Sequence, residues 1–112
     1  MTSISGSSYR NFCRTFLDSV RRRPQMYFAT LEDLETCLQG HGFAFCQLGF
    51  VSDRSATFND SFAAWLVATR HASAAAGWAV AIRELAATTD AEPAAYFFEL
   101  LDEFFEKWSG SP

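Results

Sequence analysis

Apolar residues recur at steps of three and four along most of this chain, and the steps fall into five segments. Tyr9, Phe12, Phe16, Leu17 and Val20 make the first stripe, with Arg10, Arg14 and Arg21 on another face; this spacing predicts an amphipathic helix over 9–22. Ser7 or Ser8 is placed to cap it through a hydroxyl. Pro24 ends it, because proline cannot continue a helix and biases Arg23 out of the helical region. Leu31, Leu34, Leu38, His41, Phe45 and Leu48 predict a second helix over 31–48, opened by a Thr30–Asp33 capping box. Gly40 and Gly42 mark points where it can kink or admit a close neighbour. Val51–Thr57 reads as loop. Phe62, Trp65, Leu66 and Thr69 predict a third helix with Asn59 or Asp60 as N-cap. His71–Ala76 is too rich in Ala and Ser to be stable alone, and Trp78, Ile82 and Leu85 then carry a fourth helix to about Ala87.

Thr88-Thr89-Asp90 ends that helix and caps a fifth over 91–108, whose first turn tolerates Pro93. Phe97, Leu100, Leu101, Phe104 and Trp108 share one side of it, opposite Glu99, Asp102, Glu103 and Glu106. Period-two alternation and hairpin dipeptides are missing. The expected fold is an all-α bundle of about five helices, with residues 1–7 as leader, 8–108 as the helical domain and 109–112 as tail.

At 112 residues one domain can bury a core without staples. Hydrophobic residues make up 49% and aromatics 16%, including twelve phenylalanines, enough for a dense aromatic core or for an apolar patch left over for a partner. The net charge of −4 argues against nucleic acid as a partner. No apolar run approaches the roughly 20 residues of a membrane span, and Met1–Ser8 is not a signal peptide, so a cytoplasmic protein is expected. Cys13, Cys37 and Cys46 show no Cys-x-x-Cys spacing and read as small buried hydrophobes, reduced in the cytosol.

Candidate chemistry is sparse. His41 and His71 have no carboxylate or cysteine set at metal-ligand spacing; Cys37 and His41 at i, i+4 can touch, but two ligands do not make a zinc site. No nucleophile elbow or glycine-framed serine is present, so neither an enzyme nor a cofactor is expected. Trp65, Trp78 and Trp108 read as core. Glu99, Asp102, Glu103 and Glu106 repel one another along two helical turns. They are either a solvated face, paired with Arg10, Arg14 and Arg21, or a docking surface for a basic partner. Arg21, Arg22 and Arg23 complement a helix C-terminus, or hold a phosphate or carboxylate by bidentate bonds. Met26, Tyr27 and Phe28 follow as a short apolar plug.

Arg-Arg-Arg-Pro-Gln-Met-Tyr (21–27) resembles the Arg-Pro-Gly-Met-Tyr segment of the DNA gyrase B ATPase domain. The resemblance stops there, because the six glycines form neither an Asp-x-Gly-x-Gly loop nor a Gly-rich lid; Gly40-His41-Gly42 alone is weak. A broader likeness runs through Arg-Pro-x-Met-Tyr (23–27), Leu-x-x-Leu-x-x-x-Leu (31–38) and Phe-x-x-Trp-Leu (62–66). It continues in Ser-x-x-x-Gly-Trp-Ala (73–79) and Phe-Phe-x-Leu-Leu-Asp-x-Phe (97–104). This pattern resembles small bacterial proteins of toxin-immunity loci in polymorphic toxin systems, with Gln25 and Ala29 where that group has glycine. The resemblance implies an immunity protein that occludes a cognate toxin; the acidic surface is the expected interface, which makes the expected toxin basic. Partner-binding residues would be Glu99, Asp102, Glu103 and Glu106, with Arg22, Arg23 and Tyr27 as the other surface. The alternative is an interaction domain that self-associates, as a homodimer, through surplus aromatic surface.

Overall fold

A computed structural model of the chain describes residues 6–51 and 53–108. Five α-helices follow one another: α1 Gly6–Arg22, α2 Leu31–Gln47, α3 Phe58–Arg70, α4 Trp78–Thr89 and α5 Pro93–Lys107. Two 3₁₀ turns, Pro24–Met26 and Arg54–Ala56, punctuate the links on either side of α2. Among the described residues there is no strand, so the fold is the all-α bundle that the periodicity predicts. The leader expected over 1–7 is helical from Gly6, which puts Ser8 inside α1 rather than at its cap; residues 1–5 and 109–112 lie outside the described residues.

The helix ends follow local chemistry. Arg23 leaves the helical region at φ −142° and ψ 65°, and Pro24 takes the first position of the 3₁₀ turn, where no N–H is needed. At the start of α2 both halves of the capping box form: Asp33 N donates to Thr30 Oγ1 at 3.2 Å, and Thr30 N donates to Asp33 Oδ2 at 3.3 Å. Two expected caps are elsewhere. Thr57, not Asn59 or Asp60, is the N-cap residue of α3. Asp90 is left-handed at φ 56° and closes α4, while Glu92 caps α5 by accepting from Ala95 N at 2.8 Å. Asn and Asp favour both N-caps and left-handed C-caps, so the residue type alone did not separate the two.

α2, α3 and α4 pack on one another and α5 lies along α4. Where α3, α4 and α5 meet, Trp78 stacks on Phe97 at 4.9 Å, with Phe62 edge-on to both at 5.5 and 5.7 Å. All three rings are fully buried, and burying each side chain stabilises by about 1.5–3 kcal/mol before entropy is charged against it. α2 runs unbroken through both glycines. Gly42 is the one that matters for packing, since a Cβ there would stand 3.0 Å from Thr57 Cγ2. Leu48, expected on the buried stripe, is 68% exposed because α2 ends at Gln47.

α1 reaches the rest of the bundle through side chains. Buried Tyr9 accepts a hydrogen bond from Phe58 N, the first residue of α3, at 2.7 Å; burial raises its phenol well above the usual range, so it stays neutral. Arg10 donates to the carbonyls of Trp108 at 2.6 Å and Phe105 at 2.8 Å, closing the C-terminus of α5.

Candidate interaction surface

Arg22, Arg23 and Tyr27 come together. The 3₁₀ turn is held by Tyr27 N and Phe28 N, which donate to Pro24 O at 3.0 and 3.1 Å. Tyr27 rests edge-on against Phe16 at 5.7 Å. This turn does not plug the core as expected: Met26 is 70% exposed and Tyr27 45%, and only Phe28 is half-buried. A tight turn of three residues cannot aim consecutive side chains at one face, so two of them point to solvent. Arg22, Arg23, Met26 and Tyr27, with Ser19, line a hollow of about 340 Å³. Arg22 Nη2 lies 3.5 Å from Ser19 Oγ and Arg23 Nη1 4.0 Å from Met26 Sδ. Neither guanidinium forms an ion pair among the described residues.

Glu99, Asp102, Glu103 and Glu106 share the outer side of α5, all exposed. Two of them are committed within the chain. Asp102 Oδ1 sits 3.0 Å from Arg21 Nη2 and 3.3 Å from Arg14 Nη2. Glu103 Oε2 sits 2.7 Å from Arg70 Nη2, a partner on α3 that the sequence did not suggest. Arg21 also donates to Phe98 O at 2.6 Å and covers the Phe98 ring, while Arg14 covers Phe105. Arg10, Arg14 and Arg21 thus clamp α1 to α5, and Arg70 clamps α3 to it. Glu99 and Glu106 form no ion pair among the described residues.

A groove of about 780 Å³ between α2, α3 and the loop before α4 was not legible beforehand. At its edge Glu35 reaches across to α4, accepting from Trp78 N at 2.8 Å. Asn59 joins the helices: its Nδ2 donates to Glu35 O at 2.9 Å and its Oδ1 accepts from Trp78 Nε1 at 2.8 Å. Burial raises the Glu35 carboxyl, opposed by the N–H groups of Trp78 and Ala79. Gly77, at φ +98°, is required twice over, by its backbone and because a Cβ would run into the Glu35 carboxylate. The available signal was Gly77-Trp78, a glycine standing directly before the apolar stripe of α4.

The cysteines do not behave alike. Cys13 is buried and its thiol is pushed up to about 12 by desolvation. Cys46 is half-buried, and Cys37, expected inside, is exposed because it points away from the Leu34–Leu38 face of α2. Among the described residues no three His, Cys, Asp or Glu side chains gather into a potential metal site, and no helix is long and apolar enough to cross a membrane.

No protein-family model, curated protein or solved structure matches the chain.

Proposed function

We propose that the chain is a non-enzymatic protein-binding module of the immunity type, with its recognition surface centred on the Arg22–Tyr27 corner. The observation that carries this is Met26 and Tyr27, held 70% and 45% exposed beside two arginines without a carboxylate partner among the described residues. Arg, Tyr and Met are side chains that interfaces enrich, and Arg and Tyr are among those that dominate binding energy when a partner desolvates them. The short turn holds its ends in place, so little ordering entropy remains to be lost on docking.

The acidic side of α5 belongs to the same reading as a steering surface for a basic toxin. Glu99 and Glu106 supply free carboxylates, while Asp102 and Glu103 are half-exposed but already neutralised by Arg14, Arg21 and Arg70. Their contribution is to encounter rate rather than affinity. Three free cysteines suit a reducing compartment, which supports a cytoplasmic site of action.

The test is protection of cells expressing a toxin-like product of a neighbouring gene. Arg22→Glu/Arg23→Glu/Tyr27→Ala should abolish protection with an unchanged melting temperature, and Glu99→Lys/Glu106→Lys should slow association in a salt-dependent way. Full protection by a folded corner variant would remove that corner from the interface. A second reading, self-association, draws on Phe43 and Leu48, 67% and 68% exposed near the end of α2. Sedimentation equilibrium decides it: a dimer dissolved by Phe43→Ser/Leu48→Ser supports it, and a monomer at high concentration excludes it.

A further inference from the structure

We propose that Cys37 and His41 form a thiol–imidazole dyad, and that Cys37 is a modification site for low-molecular-weight disulfides. One helical turn places Cys37 Sγ 3.8 Å from His41 Nε2 on α2. Their meeting is more than an accident of i, i+4 spacing, because the imidazole is held from behind. The rings of Phe12 and Phe16 on α1 lie 5.0 and 4.8 Å from it, both within ten degrees of perpendicular. His41 Nδ1 is buried and has no hydrogen-bond partner among the described residues. Nε2 is therefore the nitrogen that faces the sulfur, and it accepts from the thiol in the tautomer that carries the ring proton on Nδ1. Desolvation lowers the His41 pKa, so the imidazole rests neutral beside the thiol. Cys37 itself is exposed, as attack on a solution reagent requires.

The chemistry is thiol–disulfide exchange. His41 Nε2 takes the proton of Cys37 as Sγ attacks one sulfur of a small disulfide. A new bond forms between Sγ and that sulfur, the reagent's S–S bond breaks, and the departing thiolate receives the proton from His41. One thiol and one disulfide are consumed, and one mixed disulfide and one thiol are released, so no further oxidant is needed. The other two cysteines lack this arrangement: Cys13 is buried with its thiol raised, and Cys46 is half-buried without a histidine at hydrogen-bond distance.

The test uses the full chain with oxidised glutathione and peptide mapping of the adducts. Cys37 should be modified first. In a Cys13→Ser/Cys46→Ser chain, the native protein should react at least about fivefold faster than the same chain unfolded in urea, where the dyad is gone. His41→Phe, checked for native circular dichroism, should bring the folded rate down to that of an unassisted thiol. A folded rate equal to or below the unfolded rate, or one unchanged by His41→Phe, overturns the proposal. The comparison of native with unfolded chain stands even if the His41 variant fails to fold.

Discussion

Phe58, Phe62, Trp78, Phe97 and Phe104 are no more than 2% exposed where α3, α4 and α5 meet, whereas Phe12, Tyr27 and Phe43 stand 37%, 45% and 67% exposed on α1, the turn after it and α2. The first group is a closed cluster in which each ring touches several others. Phe12 and Tyr27 belong instead to a ridge that runs from Tyr27 through Phe16 and Phe12 to Phe45 and Phe50, and Phe43 stands apart from it. Rings of the same kind therefore have two fates, set by position. Those facing two helices at once lose all contact with water, and those bridging only α1 and α2 keep a wet edge. Stability resides mainly in the first region, and the second is free to serve recognition and chemistry.

The contrast breaks most sharply at Trp78. Trp78→Ala should cost about 3–5 kcal/mol, since it opens a cavity beneath Phe62 and Phe97 and strands Asn59 Oδ1. Urea unfolding measures this, and a loss below 1 kcal/mol, on the order of a surface change, would show the cluster to be loosely packed. Gly77→Ala comes next, at about 1–3 kcal/mol, because an L side chain is strained at φ +98°; Glu35→Ala should recover only the part due to the steric clash. Asp102→Ala should cost about 1 kcal/mol or less, as exposed ion pairs do, even with two arginines released. A larger loss would mean that the α1–α5 clamp, not the aromatic cluster, dominates stability.

The smallest effect is one of pH and belongs to the ridge. Burial lowers the His41 pKa from 6.5, so below that pH the unfolded chain takes up a proton that the folded chain resists. Stability on this account is full above 6.5 and falls as the pH drops through it. Glu35, raised from 4.5, acts in the opposite sense, because its folded form binds the proton more tightly and stability is lost as pH rises. His41→Phe should remove the first slope and leave the second, which melting temperatures between about pH 7 and 4.5 would reveal. Identical slopes in both proteins would mean that the ring is solvated.

The helices were legible because each carries its own period: Leu31, Leu34 and Leu38, or Phe97, Leu100, Leu101 and Phe104, announce a buried side without knowledge of what covers it. The partners were not. Asn59 looks like a cap from its neighbours, and only the tertiary fold brings Glu35 and Trp78 within its reach. Glu103 likewise meets Arg70 across 33 residues of chain. Of the proposed surface, the arginines and Tyr27 were visible as a cluster in sequence, yet their exposure was not, because Met26 and Tyr27 read as apolar until a three-residue turn tips them outward. Cys37 was misplaced for a related reason: apolar neighbours in sequence are not neighbours in space on a helix.

Arg10, near the start of α1, closes its hydrogen bonds to the end of α5 over 98 and 95 residues. That separation carries a consequence for the order of assembly. Closing a loop of this length costs about 2 kcal/mol more than closing one of about a dozen residues, while the α4–α5 hairpin needs only the few residues between Thr89 and Pro93. On this cost alone the short closures are favoured first, and the Arg10 bonds that tie α1 to the end of α5 are expected to form last. Throughout synthesis the Arg10 guanidinium must therefore wait for the last helix, whereas Tyr9 on the same helix meets Phe45 and Phe58 as soon as α2 and α3 have been made.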